Sequence, residues 1–171
     1  LNTYIERDLR SLLQVRNLRA FDAFLRLCAA NVGQLVNLSR IAGDVGVDTS
    51  TIRAWLSILE ASYILFELPP HFRNFRKRLV KSRKLYFWDV GLAAYLLGIR
   101  SPSHSASHPL RGSLFENLVI ADLLKARLHR VQDERAWFWR DSHGHEVDLL
   151  LEIGILQVLV LRMIALPSIS C

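Results

Sequence analysis

Along His145 to Glu152 the side chains alternate in a way that only a strand with one dry and one polar face accommodates. Successive side chains of a strand point to opposite faces. Val147, Leu149 and Leu151 therefore share one face, and Glu146, Asp148, Leu150 and Glu152 share the other. Three carboxylates on one strand face repel one another and are poor strand formers. Solvent, cations or a metal must offset that repulsion, and a wet acidic edge strand satisfies the pattern as well as a binding site does. Trp137–Phe138–Trp139 reads as a preceding short strand. Asp141–Ser142–His143–Gly144 carries the residues of the tight turn between them.

Gly112 to Leu128 is apolar on most sides, as in a buried helix. Glu116 is out of place there. Its neighbours at three and four positions are Gly112, Ser113, Val119 and Ile120, so no partner on its own helix compensates it. A buried carboxylate without a partner is costly, and Glu116 is expected to face a polar feature built by other elements. A helix glutamate followed by a hairpin aspartate resembles the opening of the restriction-endonuclease-like fold, the PD-(D/E)xK nucleases. The resemblance implies that Glu116 and Asp148 are catalytic, metal-binding positions, and that a third strand should bring Glu-x-Lys.

The chain's 171 residues suffice for one ordinary domain or two small ones. With 51% hydrophobic and 22% charged residues it is globular and not disordered. Two distant cysteines, Cys28 and Cys171, suggest no disulfide framework and a reducing, cytoplasmic setting. The most apolar window, Leu149 to Leu166, contains Glu152, Gln157 and Arg162, which argues against a membrane span. Leu1 is not an initiator methionine, so the chain is expected to be a piece of something longer.

The net charge of +6 is localised. Arg73, Arg76, Lys77, Arg78, Lys81, Arg83 and Lys84 follow one another without an intervening acid; without those seven, 15 cations face 16 acids. Such localisation suggests contact with a polyanion, although a solvated loop kept soluble by charge has the same composition. Upstream, Tyr4 to Val15 and Leu18 to Asn31 read as amphipathic helices. Ser39 is expected to cap a short helix, Gly46–Val47 to turn the chain, and Asp48 to cap a second helix that buries Ile52, Trp55, Leu56 and Leu59. This is a helix-turn-helix pattern. Strands at Tyr63–Leu68 and Lys84–Trp88 flank the basic loop and make it a wing. Thr49, Ser50 and Arg53 on the recognition helix, with the seven basic residues, are the candidate nucleic-acid contacts. They suit phosphates more than base reading, and winged helices also serve as protein docking modules. Asp89 caps a further helix ended by Gly98. The polar stretch Arg100 to Pro109 then marks a domain boundary. His104 and His108, like His143 and His145, read as polar surface residues and not as ligands.

Several blocks together carry a family resemblance: Tyr4-Ile-Glu-Arg-Asp-Leu, Trp55-Leu-Ser-Ile-Leu-Glu-Ala-Ser-Tyr-Ile, Lys77-Arg-Leu-Val-Lys-Ser, Lys84-Leu-Tyr-Phe-Trp-Asp, His108-Pro-Leu-Arg-Gly-Ser-Leu-Phe-Glu-Asn, Trp139-Arg-Asp-Ser and His145-Glu-Val-Asp-Leu-Leu. Over Tyr4 to about Glu152 the chain resembles the C-terminal region, domain-of-unknown-function family 4143 (DUF4143), of prokaryotic AAA-type ATP-binding proteins. The resemblance implies a winged helix, a nuclease-like domain, and an ATPase domain that would precede them. The family would continue with a strand ending in Glu-x-Lys. Here the best counterpart is Val160–Leu161–Arg162, where valine cannot ligate a metal and arginine fits lysine's place poorly. A truncated or frame-shifted end is expected.

The fold class expected is α+β. A helical winged helix-turn-helix module spans 1–100, a linker 101–109, and an incomplete restriction-endonuclease-like α/β domain 110–171. The function expected is nucleic-acid binding or docking as the accessory part of an ATPase; the alternatives are an active metal-dependent nuclease and a protein-interaction module. No cofactor is expected on this chain, magnesium or manganese would bind weakly at Glu116 and Asp148, and ATP would enter only through the ATPase domain. DNA and that ATPase domain are the expected partners, with self-association through the apolar C-terminal segment and no membrane contact.

Overall fold

The computed structural model describes residues 17–71, 82–130, 135–141, 143–154 and 157–162. The expected Tyr4–Val15 helix and the tip of the basic loop lie outside them. Asn17 starts a helix: its side chain accepts the Ala20 N–H (3.1 Å) and opens α1 (Leu18–Ala30), which buries Phe21, Phe24 and Cys28. Asn37, not Ser39, caps α2 (Leu38–Val45) by accepting the Arg40 N–H at 3.0 Å. Asparagine and serine both cap well; here Leu38 already has helical geometry, which leaves Ser39 inside the first turn. Gly46, at φ 76°, ends α2 in the left-handed conformation. Asp48 occupies the cap position of α3 (Thr49–Ala61) without a side-chain cap bond. Ile52, Trp55, Leu56 and Leu59 of α3 are buried, as the spacing requires.

Tyr63 has a φ of 55° and is exposed, and Ile64 N–H returns to Leu59 C=O (2.9 Å) in the manner of a Schellman ending. The strand expected from Tyr63 therefore starts later, as β1 (Leu65–Leu68). It pairs antiparallel with β2 (Lys84–Phe87), Leu65 opposite Phe87 and Leu68 opposite Lys84. The other edge of β2 is covered by the segment after α1, through Gly33 N–H to Leu85 C=O (2.8 Å) and Val36 N–H to Arg83 C=O (2.8 Å). Flanked on both edges, β2 buries all four of its side chains.

Asp89 caps α4 (Val90–Leu96) through bonds from the Gly91 and Leu92 N–H groups, and Gly98 follows at φ 76°. Part of the stretch expected as a linker is helical. Ser101 accepts the His104 N–H (3.2 Å) and opens α5 (Pro102–Ser107), with proline near the helix start where its missing N–H costs nothing. Next comes α6 (Arg111–Leu128) and a three-stranded antiparallel sheet of β3 (Ala136–Arg140), β4 (Glu146–Gly154) and β5 (Gln157–Leu161), in the order β3-β4-β5. The two sheets meet where Pro70 bridges to Phe138, with His71 N–H donating to Phe138 C=O. One buried cluster runs across that junction and includes Phe24, Ile52, Leu85, Ile120, Phe138 and Leu149. The architecture is mixed helix and sheet, and its two halves share a core.

Candidate functional site

The alternation of β4 holds: Leu149 and Leu151 are buried on one face, and Asp148 is buried on the other. What faces Asp148 comes from three elements. From α6, Glu116 points towards β2, where Lys84 and Tyr86 lie on one face because they are two residues apart. Lys84 Nζ donates to Glu116 Oε1 at 3.1 Å, pairs with Glu146 Oε1, and stands 3.7 Å from Asp148 Oδ1. The Tyr86 hydroxyl donates to the same Glu116 oxygen at 2.6 Å. Beneath the ammonium lies the Phe138 ring, 5.7 Å to its centroid. Gly33 approaches Glu116 so closely that an added Cβ would sit 3.4 Å from Oε1. A cavity of about 270 Å³ opens over the cluster, with Arg140 and Arg162 on its rim. Arg140 Nε is 3.6 Å from Glu146 Oε2.

Burial works against the charge on Lys84, but Glu116 and Glu146 outweigh it and hold the amine above the usual lysine value. Burial raises Glu116 above the usual glutamate value despite the opposing help of Lys84 and Tyr86. The Tyr86 hydroxyl is pushed up by burial and by the same carboxylates, so it stays a donor. The cluster is therefore a buried network whose polar atoms are matched; among the described residues no buried side-chain nitrogen or oxygen lacks a partner.

The two positions implied as metal ligands, Glu116 and Asp148, are thus brought together, and Glu146, which alternation puts on Asp148's face, joins them. As arranged they do not fit a divalent ion, because a lysine ammonium takes the point on which their oxygens converge. Among the described residues no group of three His, Cys, Asp or Glu side chains is placed to hold a metal. On β5, Val160 pairs with Leu150 and Leu161 with Leu149, so alternation puts Val160 and Arg162 on Asp148's face. These are the residues read from sequence as the best counterpart of the Glu-x-Lys that the resemblance implies. Val160 is exposed and apolar and supplies no ligand.

Lys84 is the main correction to the expected nucleic-acid contacts. It is 3% exposed and faces the acidic cluster, because burial of β2 on both faces turns its side chain inward. Arg83, next to it, points outward and stands 3.5 Å from Glu67. On α3, Ser50 and Arg53 are exposed and Thr49 is half-buried. Arg73, Arg76, Lys77, Arg78 and Lys81 lie outside the described residues.

Two residues with no role assigned from sequence complete the site's frame. Asn117, fully buried next to Glu116, accepts the Phe87 N–H (2.7 Å) and donates to the Phe87 C=O (2.8 Å), fixing α6 to the backbone of β2. Arg127 of α6 donates to the Glu152 C=O at 2.7 Å and fastens the helix to β4. The signal for Asn117 was its place beside Glu116 in a helix that is apolar on most sides. His143 and His145 stay at the surface; Asp141 Oδ2 is 2.7 Å from His145 Nδ1, and that bond holds the aspartate below its usual range. No helix among the described residues is long and apolar enough to cross a membrane.

A family model described as Domain of unknown function (DUF8612) matches residues 1–103, and one described as Domain of unknown function (DUF4143) matches residues 111–160. The resemblance to the second family, expected from Tyr4 onwards, is thus confined to α6 and the strands after it. Two uncharacterized proteins, one of Mycobacterium bovis and one of Mycobacterium tuberculosis, are each 29% identical to the chain over 158 residues. The match covers 90% of this chain and 34% of each relative, so the chain spans about a third of their length. No solved structure matches.

Proposed function

From a chain that belongs to the DUF8612 family and carries a DUF4143 segment behind it, we propose a nucleic-acid-binding accessory part of a larger ATP-dependent protein, without catalysis of its own. The observation that carries the reading is the geometry of α2, the Gly46 turn and α3. The turn sets α3 with its apolar side in the core and with Ser50 and Arg53 outward, beside a hairpin whose loop holds most of the basic excess. In our reading these elements make a winged helix, in which a helix and a wing contact the duplex together. Arg53 and the serine are phosphate-type contacts, which orient a protein on DNA without reading sequence. The restriction-endonuclease-like reading of the second half rests on the meeting of Glu116 and Asp148, and in this reading that half supports the structure and the docking but cleaves nothing. The longer relatives leave room for an ATPase domain, which the resemblance implies.

The test is fluorescence anisotropy with a labelled duplex over a range of salt. Affinity should fall with a slope of roughly −0.9 in log–log form per phosphate contacted. Changing Arg76, Lys77 and Arg78 together to alanine should weaken binding equally on unrelated sequences, and Arg53→Ala should add to the loss. Binding indifferent to both changes would move the reading to protein docking.

A further inference from the structure

We propose that Lys84 is the resident cation of the acidic cluster: its ammonium stands where a divalent ion would have to stand and makes the cluster an ionic seam between β2 and the α6–β4 face. The seam becomes a metal site only when that ammonium is removed. Three carboxylates, from α6 and from two alternate positions of β4, converge on one nitrogen. Oxygen ligands hold magnesium or calcium at roughly 2.0–2.6 Å, so a metal at this centre and the ammonium exclude each other. The lysine is not a rim residue that swings aside. Its side chain is 4% exposed, it rises from a strand bonded on both edges, and Phe138 closes the space below it. Glu116 is committed a second time, to Tyr86, and Glu146 also lies near Arg140. Each added cationic or donor contact lowers what those oxygens can offer an incoming ion.

The competing arrangement puts Lys84 beside a bound metal as an electrophilic helper, with both present at once. The two differ in what removing the lysine does to metal affinity. Manganese(II) is titrated calorimetrically into the 171-residue chain, into Lys84→Met and Lys84→Gln, and into each variant combined with Asp148→Asn. The parent should show no saturable binding, while the lysine variants should bind at least about ten-fold more tightly and lose that binding with Asp148→Asn. If Lys84→Met folds only with manganese present, the metal-dependent return of its thermal transition is the same result. Glutamine keeps a donor and most of the side-chain length, and so supplies a second folded variant. Saturable binding to the parent that Asp148→Asn removes, or lysine variants that bind no better than the parent, would overturn the proposal. Should neither lysine variant fold under any condition, the parent alone decides by the same criterion.

Discussion

Lys84 and Glu67 show how partners decide what burial does to a charged side chain. Glu67 lies half-buried on β1 and is raised above the usual glutamate value by burial and by Glu60, with Arg83 only partly opposing. A carboxyl raised in the folded state stabilises the fold most while protonated, and that contribution is lost as pH rises through the folded value. Glu67→Gln should therefore be more stable than the parent at neutral pH, and its advantage should shrink below the ordinary value of 4.5. Denaturation midpoints at both pH values check this; an equal advantage at both would contradict it. Lys84 is the opposite case, a charge kept by its partners against burial. Composition could not separate it from Arg83, since a charge count ignores which way a strand turns each side chain.

Among the elements, the α2–α3 pair was legible because its signals are local. A left-handed glycine and an apolar stripe of period 3.6 are set by residues within a few positions of one another. Gly46 has no atom within 4 Å of where a Cβ would stand, so the only penalty for alanine is its φ of 76°. Gly46→Ala should cost about 1 kcal/mol, or roughly 2–4 °C in Tm for a chain of this size. Asn at the same place should be milder. A thermal melt decides; no loss with alanine would mean that the turn relaxes. The polar 101–109 stretch was less legible. Ser101 and Pro102 start a helix as readily as they mark a loop, and the Ser101 bond to the His104 N–H selects the helix.

On the scale of the whole molecule, β2 is the strand that both halves share. It carries Leu85 and Phe87 into the common core and presents Lys84 and Tyr86 to Glu116, while Asn117 clamps its backbone. A protein with its acidic centre filled in this way should leave supercoiled plasmid intact in magnesium or manganese. Metal-assisted cleavage needs carboxylates free to hold the ion and a group that positions water. Gel analysis against Asp148→Ala tests this, and nicking that disappears in the variant would establish a nuclease.

Alone, the sequence determined the α+β composition, the alternation of β4, the two helices around Gly46, and that Glu116 needed a partner from elsewhere. These follow from periods and spacings within a turn or a strand. Only the tertiary structure decided that the partner is Lys84, that Glu146 joins it, and that Asn117 holds the two halves together. Those contacts join positions about 30 or more residues apart. No local spacing encodes them: which cation reaches a buried carboxylate depends on which strand face the packed helix covers.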